Sequence, residues 1–150
     1  MVKIWVDADA CPRPVKEIIF RAAERTKTTA TLVANQYMAV PSSDYITIIQ
    51  VEMGFDIADK KIIELCESQD LVITADIPLA DAVIRKGAVA LNPRGQIYDS
   101  NNIGPILAAR NFMQNQRSGL NENIGGPSAF SVKDRELFSN ALDKYLTRNR

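Results

Sequence analysis

Residues 3–12, Lys-Ile-Trp-Val-Asp-Ala-Asp-Ala-Cys-Pro, begin with an apolar run of strand length that leads directly into two carboxylates, Asp7 and Asp9. In open α/β sheets, ligands bind just beyond the carboxyl ends of the strands, which is where this order of residues places both side chains. Two like charges this close repel each other unless a cation, an arginine or water lies between them. The stretch therefore predicts an α/β fold with a charged site at the end of its first strand.

Short apolar runs alternate with segments of helical periodicity along the rest of the chain. The runs typical of strands are residues 3–7, 31–34, 46–51, 71–74 and 88–91. The segments typical of helices are residues 12–25, 57–66, one that opens near Pro78, 102–114 and 131–149. This alternation predicts a single domain, residues 1–150, with a three-layer α/β/α architecture and a mostly parallel central sheet. Residues 117–126 are polar and rich in glycine, which predicts a mobile loop.

The composition excludes several classes of active site. The chain has 18 basic and 18 acidic residues, no histidine, and two cysteines, Cys11 and Cys66. The absence of histidine excludes Ser-His and Cys-His catalysis and HExxH metalloprotease chemistry, and two thiols cannot form a four-thiolate zinc site. The formal net charge of zero lacks the basic excess that drives stable nucleic-acid binding, so any such contact is expected to be local or transient.

The sequence also bears on the cellular compartment. The N-terminal residues lack a basic segment followed by an apolar stretch, and no apolar run approaches the length that crosses a membrane. A soluble, cytoplasmic protein is therefore expected, with its oligomeric state left open.

Further acidic residues fall at the same predicted edge of the sheet. Asp76 follows the fourth strand in Val-Ile-Thr-Ala-Asp, and Asp81 lies about one helical turn further on. Because the carboxyl ends of parallel strands point the same way, Asp7, Asp9 and Asp76 converge if strands one and four are neighbours. Carboxylates without histidine or cysteine form a hard oxygen-ligand site, which prefers Mg²⁺ or Mn²⁺.

Asp56 and Asp59, in Gly-Phe-Asp-Ile-Ala-Asp, precede the helix that leads into strand four. They lie at the other end of that helix from the convergent carboxylates unless the connection brings them back, and both arrangements stay open. Asp56 taken alone is typical of a helix cap or a turn.

Several residues have simpler interpretations. Asp81 has the i, i+4 spacing to Arg85 of a helical ion pair. Cys11, beside Pro12 at a helix start, is a candidate nucleophile, but no general base accompanies it and a small buried residue is the favoured interpretation. Asn35, at the end of the second strand, is either a turn former or a polar contact in the same cleft.

Six motifs in a fixed order resemble the bacterial YaiI/YqxD family over nearly the whole chain. They occupy residues 7–12, 33–36, 54–59, 70–80, 92–95 and 125–127, followed by Phe130 and Asp134-Arg135. The resemblance implies a PIN-like domain, the fold of many metal-dependent ribonucleases and of flap endonucleases. The stretch Thr74-Ala75-Asp76 is similar to the Thr-x-Asp that those domains carry after a strand.

In PIN-like domains, a strand-end Asp, a carboxylate at a helix entrance and the Thr-x-Asp gather around one or two divalent ions. The residues that look like ligands of Mg²⁺ or Mn²⁺ are Asp7, Asp59 and Asp76, with Asp9 and Asp81 as additional ligands. One departure is Lys60-Lys61, where many PIN-like chains continue with small or apolar residues. The resemblance implies hydrolysis of phosphodiesters, most directly RNA, with Asp7, Asp9 and Asp76 as the catalytic carboxylates.

The implied chemistry needs phosphate contacts as well as carboxylates. A bound ion would lower the pKa of a water molecule, orient it in line with a phosphodiester and neutralise charge on the leaving oxygen. Arg94, in the turn after strand five, is placed to contact a phosphate bidentately. Arg13, Arg135 and Asn35 are further substrate-binding candidates, and RNA or another phosphate-containing molecule is the expected transient partner.

Two other functions fit the same residues. A strand followed by Asp-x-Asp also opens phosphatases of the haloacid dehalogenase type, with Asp7 as nucleophile and Asp9 as acid. Against that function, a helix that begins almost at once after Pro12 leaves little room for the turn and flap that those enzymes insert there. The second alternative is a non-catalytic RNA- or protein-binding module that keeps the fold, which the neutral net charge permits.

Overall fold

Six strands form one sheet in the part of the chain that the computed structural model describes, residues 2–54, 56–118 and 130–149. The strands are β1 (Ile4–Asp7), β2 (Ala30–Ala34), β3 (Ile46–Gln50), β4 (Leu71–Ile73), β5 (Val89–Leu91) and β6 (Ile97–Tyr98). They lie in the order β3-β2-β1-β4-β5-β6, with β6 antiparallel to β5 and the other pairs parallel. Strands one and four are therefore neighbours, and Ile4 is in register with Leu71.

Helices cover both faces of the sheet. They are α1 (Arg13–Thr26), α2 (Ile57–Leu65), α3 (Ile77–Arg85), α4 (Ile103–Ser118) and α5 (Val132–Arg148). Along β1 the side chains alternate, so Ile4 and Val6 enter the core under α1 and α5, whereas Trp5 enters the core under α2, α3 and α4. The predicted three-layer α/β/α architecture is confirmed. In the part of the chain that the structure describes, no helix has the length and apolar content that a membrane span needs.

The winding of the chain reverses between β1 and β4, at the centre of the sheet. From β1 the chain crosses through α1 to β2 on one face, whereas from β4 it crosses through α3 to β5 on the other. Such a switch point leaves a crevice beyond the carboxyl ends of the two strands, where open α/β sheets bind ligands. The connection between β1 and α1, residues 8–12, contains no glycine, so it lacks the turn by which dinucleotide-binding sheets hold a pyrophosphate.

Two elements differ from the sequence prediction. β6 has only two residues, too few for an apolar period, and it pairs with β5 across a turn in which the Gly95 N–H donates to the Asn92 carbonyl at 2.9 Å. α4 continues to Ser118, beyond the predicted end at Gln114, because no glycine or proline interrupts it there. Residues 117 and 118 of the predicted mobile loop are therefore helical, and residues 119–126 lie outside the described residues.

Candidate functional site

Asp7 ends β1 and is almost fully buried, with 9% of its surface exposed. By strand alternation its side chain lies on the same face as Trp5, toward α2 and α3. Its carboxylate accepts a hydrogen bond from Thr74 Oγ1 at 3.1 Å. Burial raises the pKa of Asp7, the Thr74 hydrogen bond lowers it, and the charges of Asp76 and then Asp9 raise it. The structure therefore brings Asp7 and Asp76 together at the ends of two adjacent strands.

Asp76 is the N-cap of α3. Its Oδ1 accepts a hydrogen bond from the Leu79 N–H at 3.0 Å, and its own N–H donates to Thr74 Oγ1 at 3.0 Å. The capping bond satisfies an N–H that the first turn of the helix would otherwise leave without a partner. Asp76 thus combines the ordinary role of a cap with a position near Asp7, and the capping bond uses one of its two carboxylate oxygens.

Asp59 lies in the first turn of α2 and interacts with the same carboxylates. Burial, and after it the negative charges of Asp7, Asp76 and Asp56, raise the pKa of Asp59 to about 7. α2 follows β3, so it begins at the carboxyl edge of the sheet. The connection therefore brings Asp59 to the edge where Asp7 and Asp76 lie, which settles the arrangement that the sequence left open.

Asp56 stands one residue before α2 with a left-handed backbone, φ +64°, and its exposed side chain makes no capping hydrogen bond. Of the two ordinary interpretations, the turn is confirmed and the side-chain cap is not. Asp56 contributes negative charge to Asp59 and belongs to the rim of the site.

An open cleft of about 410 Å³ runs from the carboxylates of Asp56, Asp59 and Asp76 to α4, and the buried Asp7 is not part of its lining. Its lining consists of Asp56, Asp59, Lys60, Ile63, Asp76, Pro78, Leu79 and Arg110. Arg110 is absent from the sequence-based candidates because no local motif distinguishes it from an ordinary surface arginine. The helical spacing of Ile103, Ile106 and Arg110 is the one signal that places it on the inward face of α4. The cleft therefore combines carboxylates with cationic side chains.

Asp9 diverges from Asp7 although one residue separates them. It lies in a single 3₁₀ turn, Ala8–Ala10, and is exposed. Its Oδ2 accepts a hydrogen bond from the Asn35 N–H at 2.8 Å, and the Asn35 side chain, with its nitrogen toward Asp9, donates to the same oxygen at 2.7 Å. Asn35 thus holds Asp9 at the end of β2. Asp7 is therefore hydrogen-bonded to a residue that follows β4, whereas Asp9 is hydrogen-bonded to a residue that follows β2.

Two simpler interpretations agree with the structure. Asp81 forms an ion pair with Arg85 at 3.1 Å, at the i, i+4 spacing, and it is absent from the lining of the cleft. Cys11 is 8% exposed, and burial raises its pKa to about 12. Its thiol therefore stays protonated near neutral pH, which is the opposite of an activated nucleophile.

The arginines proposed from sequence lie apart from the cleft. Arg94 forms an ion pair with Asp134 of α5 at 2.8 Å, which ties the turn after β5 to the start of that helix. Arg13 is exposed and lies 3.8 Å from Glu17 on the same helix. Arg135 is exposed on α5. None of these three lines the cleft that Arg110 enters.

The clustered aspartates have the kind of oxygen atoms that a hard cation prefers, but the side chains do not yet surround a common ion position. Among the described residues, no three acidic, cysteine or histidine side chains are already grouped around one ion position. The pKa values of Asp7 and Asp59 are nevertheless raised, first by burial and then by neighbouring carboxylates, so several acidic groups act on one another at this edge of the sheet. Oxygen donors of this kind suit Mg²⁺ or Mn²⁺. Binding an ion between them requires at least one carboxylate to move closer to the others.

Comparison with known proteins identifies the family. A model of the Uncharacterized BCR, YaiI/YqxD family matches residues 5–148. The chain is 56% identical over 148 residues to the UPF0178 protein of Maridesulfovibrio salexigens, covering 99% of this chain and 97% of that protein. It is 55% identical over 147 residues to the UPF0178 protein of Pseudoalteromonas atlantica, covering 98% and 99%. No solved structure matches. The chain therefore belongs to the YaiI/YqxD family, whose curated relatives are named UPF0178 proteins.

Proposed function

We propose that this protein is a divalent-metal-dependent nuclease that hydrolyses phosphodiester bonds in RNA. The observation that carries the proposal is the meeting of Asp7, Asp59 and Asp76 at the switch point of the sheet, where each comes from a different element. Asp59 lines the cleft, and burial together with the charges of Asp7 and Asp76 raises its pKa, which is typical of a residue in a functional site. The same three residues are those that the resemblance to PIN-like domains implies as ligands.

The chain's own groups supply position and charge. Thr74 fixes the Asp7 carboxylate through its hydroxyl, and the cap of α3 fixes Asp76. Mg²⁺ or Mn²⁺ held by Asp7, Asp59 and Asp76 would lower the pKa of a bound water and neutralise charge on the phosphate. No histidine base is needed for this chemistry, which agrees with a sequence that has none.

Two observations favour a nuclease over a phosphatase of the haloacid dehalogenase type. Only residues 8–12 separate β1 from α1, and a 3₁₀ turn fills most of them, so the connection has no room for an inserted flap. Asp9, the acid that a phosphatase would need beside Asp7, uses its carboxylate to accept hydrogen bonds from Asn35. These bonds hold the Asp9 carboxylate at the end of β2, away from the Asp7 carboxylate beside which a phosphatase would need it.

The decisive experiment compares wild type with Asp7→Asn on a labelled single-stranded RNA and on p-nitrophenyl phosphate, in millimolar Mn²⁺. Asp81→Asn serves as the matched control because it makes the same chemical change at an aspartate that is paired with Arg85. We expect RNA cleavage by wild type and Asp81→Asn, with Asp7→Asn slower by about a hundredfold or more. Hydrolysis of the ester alone would favour the phosphatase, RNA binding without cleavage would favour the binding module, and equal cleavage by Asp7→Asn would exclude both enzymes.

A further inference from the structure

Arg110 enters the cleft as the continuation of an otherwise apolar helix face. Ile103 is buried and Ile106 is partly buried in the core shared by α2, α3 and α4. Arg110 lies one helical turn beyond Ile106 on that face, where the core ends and the cleft begins. The packing of α4 therefore directs its half-buried side chain toward the cleft and away from bulk solvent.

The charges around Arg110 leave its guanidinium available to an anion. Its hydrogen-bond partner among the described residues is the neutral amide oxygen of Asn111, at 3.1 Å, which occupies one of five N–H donors. No ion pair between described residues involves Arg110, although three aspartates line the same cleft. By contrast, Arg85 and Arg94 are each paired with an aspartate.

We propose that Arg110 holds a backbone phosphate of the RNA next to the phosphate that reacts at the carboxylates. Three aspartates line this cleft and Lys60 lies beside them on α2, so a cation on the opposite wall reduces the net repulsion of a polyanion and helps to keep the strand in place. The guanidinium lines this cleft without an ion pair to the carboxylates, which leaves space for substrate between them. A bidentate contact with two phosphate oxygens is the interaction for which an arginine fork is suited.

This inference rests on the proposed function, and it gives that function a substrate class: a strand with at least two consecutive phosphates. A substrate with a single phosphate would react at the carboxylates without using Arg110. An oligonucleotide would contact both the carboxylates and Arg110. Arg110 is therefore a positioning residue, whose removal should weaken the binding of a strand more than it slows the chemical step.

The test measures binding of a labelled single-stranded oligouridine by fluorescence anisotropy, in Mn²⁺ and in an Asp7→Asn background that prevents cleavage. We expect Arg110→Ala to weaken binding about fivefold to tenfold and to lower the slope of log affinity against log salt by about one. Arg110→Lys should keep the salt slope and bind about twofold to threefold more weakly than the background. The control is Arg21→Ala, an exposed arginine of α1 on the opposite face of the sheet, which should leave binding unchanged.

A second measurement separates this inference from the proposed function. Arg110→Ala should slow hydrolysis of bis(p-nitrophenyl) phosphate, which has one phosphate, by a smaller factor than it weakens binding of oligouridine. Binding loss in Arg110→Ala supports the inference even if wild type hydrolyses nothing. The inference is overturned if Arg110→Ala and its background bind oligouridine equally, if Arg21→Ala weakens binding as much, or if the background binds no RNA. It is also overturned if Arg110→Ala slows hydrolysis of the single-phosphate ester by as large a factor as it weakens oligouridine binding.

Discussion

The hydroxyl of Thr74 donates to Oδ2 of Asp7 across 3.1 Å, joining the end of β4 to the end of β1. The same Oγ1 accepts the N–H of Asp76 at 3.0 Å. One side chain, 2% exposed, thus holds two of the three clustered aspartates in place. The relationship explains why a threonine suits this position: a hydroxyl can donate to one neighbour while accepting from another, and the β-branched side chain fits the end of a buried strand.

Thr74→Val should therefore destabilise the protein. The substitution preserves shape but leaves an oxygen of Asp7 and the N–H of Asp76 without this partner, and we expect the free energy of unfolding to fall by about 1–3 kcal/mol. Urea denaturation of the metal-free protein measures the change. Thr74→Ser retains the hydroxyl and should lose less, so equal losses in the two variants would show that packing, not the hydrogen bonds, gives Thr74 its role.

Asp59→Asn should stabilise the metal-free protein above neutral pH. The pKa of Asp59 is raised from 3.8 to about 7 in the folded state, so the folded protein holds this proton more tightly than the unfolded chain does. The resulting stabilisation is complete below about pH 4, declines as the pH rises toward 7 and is absent above it. At pH 8 we expect Asp59→Asn to be more stable than wild type by about 1 kcal/mol, after allowance for solvent screening.

The measurement is urea denaturation between pH 4 and pH 8 in the presence of a chelator. Wild type should lose stability relative to Asp59→Asn as the pH rises. Asp44→Asn, which removes an exposed carboxylate elsewhere, serves as the control and should run parallel to wild type. Parallel curves for Asp59→Asn and wild type would mean that neither burial nor the negative charges of Asp7 and Asp76 raise the pKa of Asp59.

Much of the fold is predictable from this sequence because the elements that build it have strong patterns. Buried parallel strands are continuous apolar runs, and the helices carry apolar stripes, so chain order alone yields α/β alternation. The positions of Asp7 and Asp76 follow for the same reason, since chain direction fixes the edge at which parallel strands end. β6 lacks such a pattern, and its antiparallel pairing with β5, Ile97 with Leu91 and Tyr98 with Ala90, defines it.

The details of the site depend on contacts between distant elements, which local patterns do not contain. A single 3₁₀ turn, Ala8–Ala10, directs Asp9 toward Asn35, and the residue types in that turn do not predict its conformation. Arg94 occupies a turn that suits a phosphate contact, yet its ion pair is with Asp134, distant in sequence. Arg110 reaches the cleft only because α4 packs beside α3.

Divalent cations should stabilise wild type through Asp76 but not through Asp81. An ion that binds only the folded state raises the free energy of unfolding by about 2.7 kcal/mol at a hundred times its dissociation constant. Asp76→Asn removes a carboxylate while keeping a good helix cap, so its fold should persist. Asp81→Asn removes a carboxylate from the same helix, where it pairs with Arg85.

The measurement is the melting temperature of each variant across a Mn²⁺ titration. We expect wild type and Asp81→Asn to gain several degrees and Asp76→Asn to gain little. Equal gains in all three proteins would place the cation elsewhere, and no gain in wild type would count against the metal site itself.

Asp70 should matter for stability and not for cation binding. It is 1% exposed at the amino edge of the sheet, and its carboxylate accepts the Lys3 N–H at 3.0 Å, Trp5 Nε1–H at 3.0 Å and the Glu67 N–H at 2.9 Å. Asp70→Ala removes the partner of all three donors, and we expect a loss of about 3 kcal/mol or more. Trp5→Phe removes only one donor and should lose less. A Mn²⁺-induced rise in melting temperature that disappears in Asp70→Ala, with the fold intact, would contradict this separation of roles.

Gly95→Ala should destabilise the contact between the β5–β6 turn and α5. Gly95 has φ +97°, a conformation that favours glycine, and an added Cβ would lie 2.6 Å from the Leu137 carbonyl carbon, too close for backbone to accommodate. We expect a loss of about 2–3 kcal/mol in the free energy of unfolding. Gly104→Ala is the matched control, because its Cβ would meet nothing within 4 Å and alanine favours the helix, so stability should stay level or rise by up to about 1 kcal/mol. Chemical denaturation measures the free energy of unfolding of both variants. Equal values would show that α5 moves away from the turn at little cost despite the ion pair between Arg94 and Asp134.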